Sequence, residues 1–254
     1  MFYYYGRKKQ LAGHYPSPAF DTIIEPFAGS AAYSLYRDHW KRNVLLVERD
    51  ERVAEVWRWL IEDARPEELL KLPELKVGDR SSEFLHIIHA ATKMAFAYKT
   101  IKITPVLARN WEISRRVMAA NLHKVKHWKI VKGDYTNVPD IKATRFIDPP
   151  YKGAPGLGYK YSSKTLDYLE LANWANTRSG EIICCEGNYG DYLPFEPLVL
   201  CKGVAGKISE ERIYYRGPQY RKQISLFSCG GADSDMISDS LTSASSDSAP
   251  EAVV

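Results

Sequence analysis

Cysteine is scarce, with four among 254 residues, too few and too scattered for a disulfide-stapled scaffold. No apolar run approaches the roughly 20 residues that span a bilayer, and no stretch reads as a secretory leader. The expectation is a cytoplasmic protein that does not enter a membrane. His86/His89 and His123/His127 have helix-face spacings, yet neither pair has the Cys or His-Glu companions that complete a four-ligand site. No metal is expected. The three-glycine dinucleotide fingerprint is also missing, which argues against a nicotinamide oxidoreductase. Cys184 and Cys185 adjoin in an apolar run, where alternation sends one to each face of a strand, so they read as core residues.

Acids are scarce in the body of the chain. The segment 229–254 holds five of them and no Lys or Arg, and without it 35 basic residues face 26 acidic ones, a net charge of +9. A basic body with 17 Tyr and 6 Trp suits a polyanionic partner, because Lys and Arg neutralise phosphates and rings stack on bases. The 45% hydrophobic content is enough to bury one full core. We expect one domain over residues 1–228, and a disordered Ser/Asp-rich acidic tail over 229–254.

Short apolar runs alternate with helical patterns, the signature of crossover units and a mainly parallel sheet. Strands are predicted over Asp21 to Glu25, Asn43 to Glu48, Lys129 to Lys132, Thr144 to Asp148 and Glu181 to Glu186, and helices over Ala32 to Trp40 and Glu51 to Glu62. Lys207 to Tyr215 and Gln219 to Phe227 are predicted to form a hairpin about Arg216-Gly217-Pro218. The region of about 65–127 is mostly helical, and within it the amphipathic stretch from Pro105 to Asn121 could line an exposed side with Arg109, Arg115 and Arg116.

Four strand ends carry the chemistry. In FIDPPYKG, Phe146 to Gly153, two prolines stop the fourth strand and hold the following residues stiffly extended, aiming the Asp148 carboxylate and the Tyr151 ring. In EPFAGSAAYSL, Glu25 to Leu35, a small-residue turn between first strand and first helix lets a ligand approach the backbone. Glu48 ends the second strand about twenty residues after Gly29, where an acid can take hydrogen bonds from ribose hydroxyls. In KGDYTNVP, Asp134 and Tyr135 follow the third strand beside the switch point of an open α/β sheet. Glu25, Glu48, Asp134 and Asp148 therefore gather at successive carboxyl ends. Such a pocket repels a pyrophosphate and suits a positively charged nucleoside.

EPFAGS, an acid-ended second strand, GDY and DPPY, in this order, resemble the S-adenosylmethionine-dependent N6-adenine DNA methyltransferases of the Dam-like group, over about Tyr3 to Phe227. The resemblance implies a Rossmann-like α/β fold with a mainly parallel seven-stranded sheet, a C-terminal antiparallel hairpin strand and a small helical recognition region. It implies that YYGRKKQL closes over the methionine end of the cofactor, with Tyr4 where the family usually has Trp and Lys8 matching its Lys. Glu25, Phe27, Gly29 and Ser30 would surround the cofactor's amino-acid part, Glu48 would hold its ribose, and Asp134 with Tyr135 would contact its adenine. Ala31 departs from the pattern, where Gly is common. At the target-base site, Asp148 and the Pro149 carbonyl would accept the adenine amino hydrogens, Pro150 would stiffen the loop, and Tyr151 would stack on a base flipped out of duplex DNA.

Three further readings share parts of this site: methylation of RNA adenine, methylation of cytosine N4, and a non-catalytic nucleic-acid-binding relative. Asp148 favours adenine, since the cytosine enzymes more often carry Ser there, and the retained Asp148 and Tyr151 favour an active protein. FAYKTIKITP, Phe96 to Pro105, does not match the family's recognition loops, so a reduced reader with relaxed site preference is expected. No nuclease motif is seen; a solitary methylase, monomer or homodimer, is favoured, and a separate restriction nuclease remains compatible with the sequence.

Overall fold

The computed structural model describes residues 1, 2, 4, 6, 8–81, 101–202 and 208–218. The middle of the expected recognition region, Gln219 to Phe227 and the acidic tail lie outside the described residues.

The elements run β1 (Thr22–Glu25), β2 (Asn43–Glu48), α1 (Glu51–Glu62), α2 (Pro66–Lys71), β3 (Arg80–Ser81), β4 (Ile101–Lys102), α3 (Pro105–Asn121), β5 (Lys129–Lys132), β6 (Ala143–Ile147), α4 (Tyr168–Thr177), β7 (Gly180–Glu186), β8 (Glu196–Lys202) and β9 (Ile208–Arg216). Seven strands form one sheet in the order β5-β2-β1-β6-β7-β9-β8. The first five are parallel; β9 is antiparallel to both β7 and β8. This is a Rossmann-like sheet with an antiparallel strand inserted near one edge, as the fold expectation had it. β3 and β4 make a separate short antiparallel pair.

Alternation along the strands divides the core in two. Ile23, Leu46, Phe146, Ile183 and Cys185 pack on one face with α1 and α3. Ile24, Val47, Ile147, Ile182 and Cys184 pack on the other with α4. Neighbouring strand residues thus serve opposite layers, as a period of two requires when both faces are covered. Each helix has a chemical start. Asp50 accepts the Arg52 amide ahead of α1, Pro105 follows the Thr104 cap of α3, and Asp167 accepts the Leu169 and Glu170 amides of α4. The α1 stripe Val53, Val56, Trp57, Leu60 and Ile61 then faces the sheet.

Two expected elements differ. Residues 32–40 form successive turns with a short 3-10 segment at His39–Lys41, not a helix. Arg37 has φ 45°, a left-handed backbone that a continuous α-helix cannot contain, while the Ser34 amide donates to Glu25 Oε1 (2.8 Å) and the Tyr33 ring lies flat on Phe146 (4.2 Å, 3°), fastening the turns to β1 and β6. The hairpin partner of β9 is β8, a strand the sequence reading passed over, and the proposed partner after Pro218 falls outside the described residues.

Arg115 is a third correction. It is buried and donates to the carbonyls of Leu70 and Leu72 and to Glu112, tying α3 to the end of α2, while Arg109 and Arg116 stay exposed. Helical periodicity placed it on a polar stripe, but the neighbouring chain covers that side. Among the described residues no helix is long and apolar enough to cross a membrane.

Candidate functional site

Every parallel strand ends at an acid. Along the sheet edge, in spatial order, these are Asp134 just after β5, Glu48 on β2, Glu25 on β1, Asp148 after β6 and Glu186 on β7. The first four line one cavity of about 880 Å³, including its open mouth, together with Tyr4, Lys8, Phe27, Gly29, Ser30, Tyr135 and Pro150. Pro149 and Tyr151 do not line it. All nine residues assigned to a cofactor from the sequence therefore surround one space, and the Asp-Pro-Pro loop forms one end of it.

The turn after β1 shapes the floor. Gly29 and Ala31 both have left-handed backbones, φ 47° and 50°. At Gly29 a Cβ would come within 3.0 Å of the Tyr4 ring, so this position needs glycine for its backbone and for the close approach. Ala31 adopts the same region with its methyl buried, a conformation glycine takes more cheaply. The indole nitrogen of buried Trp57 donates to the Gly29 carbonyl at 2.8 Å, bolting the turn to α1.

Glu48 holds the turn from the other side. Its Oε2 accepts the Gly29 amide (3.0 Å) and its Oε1 the Asp50 amide (2.8 Å). Burial pushes Glu48 up to about 7 despite those amides, and pushes Glu25 up to about 7 despite its bond from Ser34. Both carboxyls are buried where they line the cavity, so a cationic ligand would favour their ionised forms.

The walls are aromatic. Phe27 stacks on Tyr135 (5.6 Å, 25°), and Tyr135 meets Trp174 edge-on. Asp134 is tied to its own turn and pairs with Arg49 at 3.4 Å. Sequence reading missed Arg49, Asp50, Tyr159, Lys160 and Tyr161, which complete the rim. Asp50 and Arg49 follow Glu48 directly, and proximity to a recognised strand end was the available signal. The residues 159–161 belong to the irregular stretch after the Asp-Pro-Pro loop, which has no periodic pattern to read.

At the far end, Lys8 Nζ lies 2.9 Å from Asp148 Oδ1 and 4.4 Å from the centre of the Tyr151 ring. Burial pulls the Lys8 ammonium down, but the Asp148 and Glu211 charges outweigh it, so it is held more firmly protonated than an ordinary lysine. Burial pushes the Asp148 carboxyl up, and the ammonium draws it part of the way back. Tyr168 donates to the Pro150 carbonyl at 2.6 Å, and Glu186 accepts the Lys152 amide at 3.2 Å, fixing the loop on both sides of Tyr151. Glu186, also pushed to about 7 chiefly by burial, was not singled out in the sequence, although it ends a predicted strand as the other acids do. Among the described residues no group of His, Cys, Asp and Glu is arranged to hold a metal.

No family model matches this chain, and neither does any curated protein. Among 22 matching chains of known structure is one described as "Putative methyltransferase yhhF", from Escherichia coli. It is 12% identical over 78% of this chain and 76% of that chain, with a TM-score of 0.33. At that identity and TM-score the likeness says nothing about this chain's reaction.

Proposed function

We propose that the protein is a methyltransferase that uses S-adenosylmethionine to methylate the N6 amino group of adenine in DNA. The observation that carries this reading is the junction of two sites. A cavity ringed by Glu25, Glu48 and Asp134 opens onto Asp148, whose carboxylate accepts an N–H donor, the Lys8 ammonium. The DPPY sequence and the companion motifs supply the substrate class.

The cavity chemistry fits the cofactor. Buried carboxylates attract a cation, the Gly29 turn admits close backbone approach, and the Phe27/Tyr135 pair offers an aromatic wall for a nucleobase. When bound, the cofactor supplies an electrophilic methyl group on a positively charged sulfur. The protein's part is alignment. Asp148 and the Pro149 carbonyl accept the two amino hydrogens of the extruded base, which turns the nitrogen lone pair toward the cavity. Tyr151 offers its ring face to the base. After transfer the surplus proton leaves the nitrogen toward Asp148, whose burial raises its proton affinity. The basic body supports a nucleic-acid partner by phosphate neutralisation.

The test is transfer of labelled methyl from S-adenosylmethionine to unmethylated duplex DNA, with nucleoside analysis of the product. N6-methyladenine is expected from the parent protein and none from Asp148→Ala, with cofactor affinity in that variant changed by less than about 3-fold, under 1 kcal/mol. Labelled N4-methylcytosine, or transfer to RNA alone, would replace the substrate half of the reading. Loss of cofactor binding by the parent protein would remove all of it.

A further inference from the structure

Glu211 is a buried carboxylate that the reading above does not use. It lies on β9, the antiparallel strand wedged between β7 and β8, and its neighbour on β8 is Val199, where the ladder has a bulge between Pro197 and Val199. A bulge twists a strand locally and re-aims its side chains. Here Glu211 projects beneath the Asp-Pro-Pro loop. Its Oε1 accepts the Tyr15 hydroxyl at 2.5 Å and also the Tyr151 hydroxyl.

Burying an ionised carboxylate costs several kcal/mol unless partners satisfy it, and apolar residues of similar size would fill the space at lower cost. The partners identify what the cost supports. Tyr15 belongs to the main core, edge-on to Phe146 at 5.0 Å, so it is a fixed point. Tyr151 belongs to the loop. Glu211 therefore couples the loop ring to the core through two hydroxyls on one oxygen. The ring edge is bounded by Gly187, where a Cβ would approach Tyr151 within 3.1 Å, and Lys8 covers the ring at 4.4 Å.

The Lys8 ammonium meets both the Asp148 carboxylate and the Tyr151 ring, so a single occupant can hydrogen-bond to one and lie over the other. An adenine presenting its amino group to Asp148 and its face to Tyr151 would need that same place, and cannot share it with Lys8. We infer that Glu211 is a positioning residue of the target-base site. It fixes the Tyr151 ring so that ring face and Asp148 address one amino group. This inference rests on the proposed adenine transfer.

A double-mutant cycle tests it, using Glu211→Met, which removes the acceptor, Tyr151→Phe and the two together. The readouts are single-turnover methyl transfer to unmethylated plasmid DNA and, separately, cofactor affinity. If the two residues act through one bond, each single variant slows transfer by about 10-fold and the double variant is no slower than the worse single. Cofactor affinity stays within about 2-fold throughout, which a general loss of structure would not allow. Tyr151→Phe keeps the ring and the packing, so it reports on the bond even where Glu211→Met folds poorly. Losses that multiply to about 100-fold, or a Tyr151→Phe variant as fast as the parent, overturn the positioning role. A parent protein that transfers no methyl group overturns the functional reading and this role with it, so the two failures are told apart by the parent alone.

Discussion

Glu48 reaches from the end of β2 to the Gly29 amide, 3.0 Å away, and so pins the turn that forms the floor of the cavity. The carboxylate assigned to a ribose is also a structural brace. Replacing it with alanine orphans the Gly29 and Asp50 amides, at a cost of about 1–3 kcal/mol in urea unfolding for a buried donor left unpaired. Cofactor affinity, followed by calorimetry, falls at the same time. A Glu48→Ala protein as stable as the parent would show that the turn holds itself.

The two acids at about 7 give a pH signature with a defined sign. Glu25 and Glu48 hold protons in the folded protein that they would release above about 4.5 when unfolded. Their contribution to stability is fully present below about 4.5 and is lost as the pH rises through about 7. A cation in the cavity favours the ionised acids. Cofactor affinity should therefore tighten between about pH 6 and pH 8 and binding should release protons, a quantity read by calorimetry in buffers of different ionisation heat. Proton uptake on binding would contradict the assignment.

Arg115 and Arg109 separate fold from surface on one helix. Arg115→Met removes the bonds to Leu70, Leu72 and Glu112 and should cost about 2–3 kcal/mol of unfolding free energy by leaving carbonyls unpaired. Arg109→Ala should leave stability within about 0.5 kcal/mol, as exposed substitutions do. If α3 faces nucleic acid, the Arg109 variant also lowers the salt sensitivity of DNA binding, measured by titration at several ionic strengths.

Strand ends were the most legible part of this chain. Asn43–Glu48 and Lys129–Lys132 are apolar or alternating runs with clear stops, and α1 and α3 carry caps and a helical stripe, so pattern and local chemistry agreed there. The acids at those ends were legible with them. Residues 32–40 were not, because their conformation is decided by Glu25 and Phe146, which are distant in sequence or on another strand. Glu211 was invisible for the same reason. Nothing in ISEERIYYR distinguishes a buried glutamate from an exposed one until the strand is placed between β7 and β8.

The wedged position of β9 also bears on how the protein folds. The bond from Tyr15 to Glu211 spans 196 residues of chain, and the one from Tyr151 spans 60. Closing loops of that length is entropically costly and slow to be rewarded by contacts. The residues that line the cavity end at Leu166, whereas Glu211, beneath the Asp-Pro-Pro loop, lies on a strand near the end of the described chain. On a ribosome the partner of the Tyr151 hydroxyl is therefore made after every residue that lines the cavity, so the loop gains this support only when β9 docks.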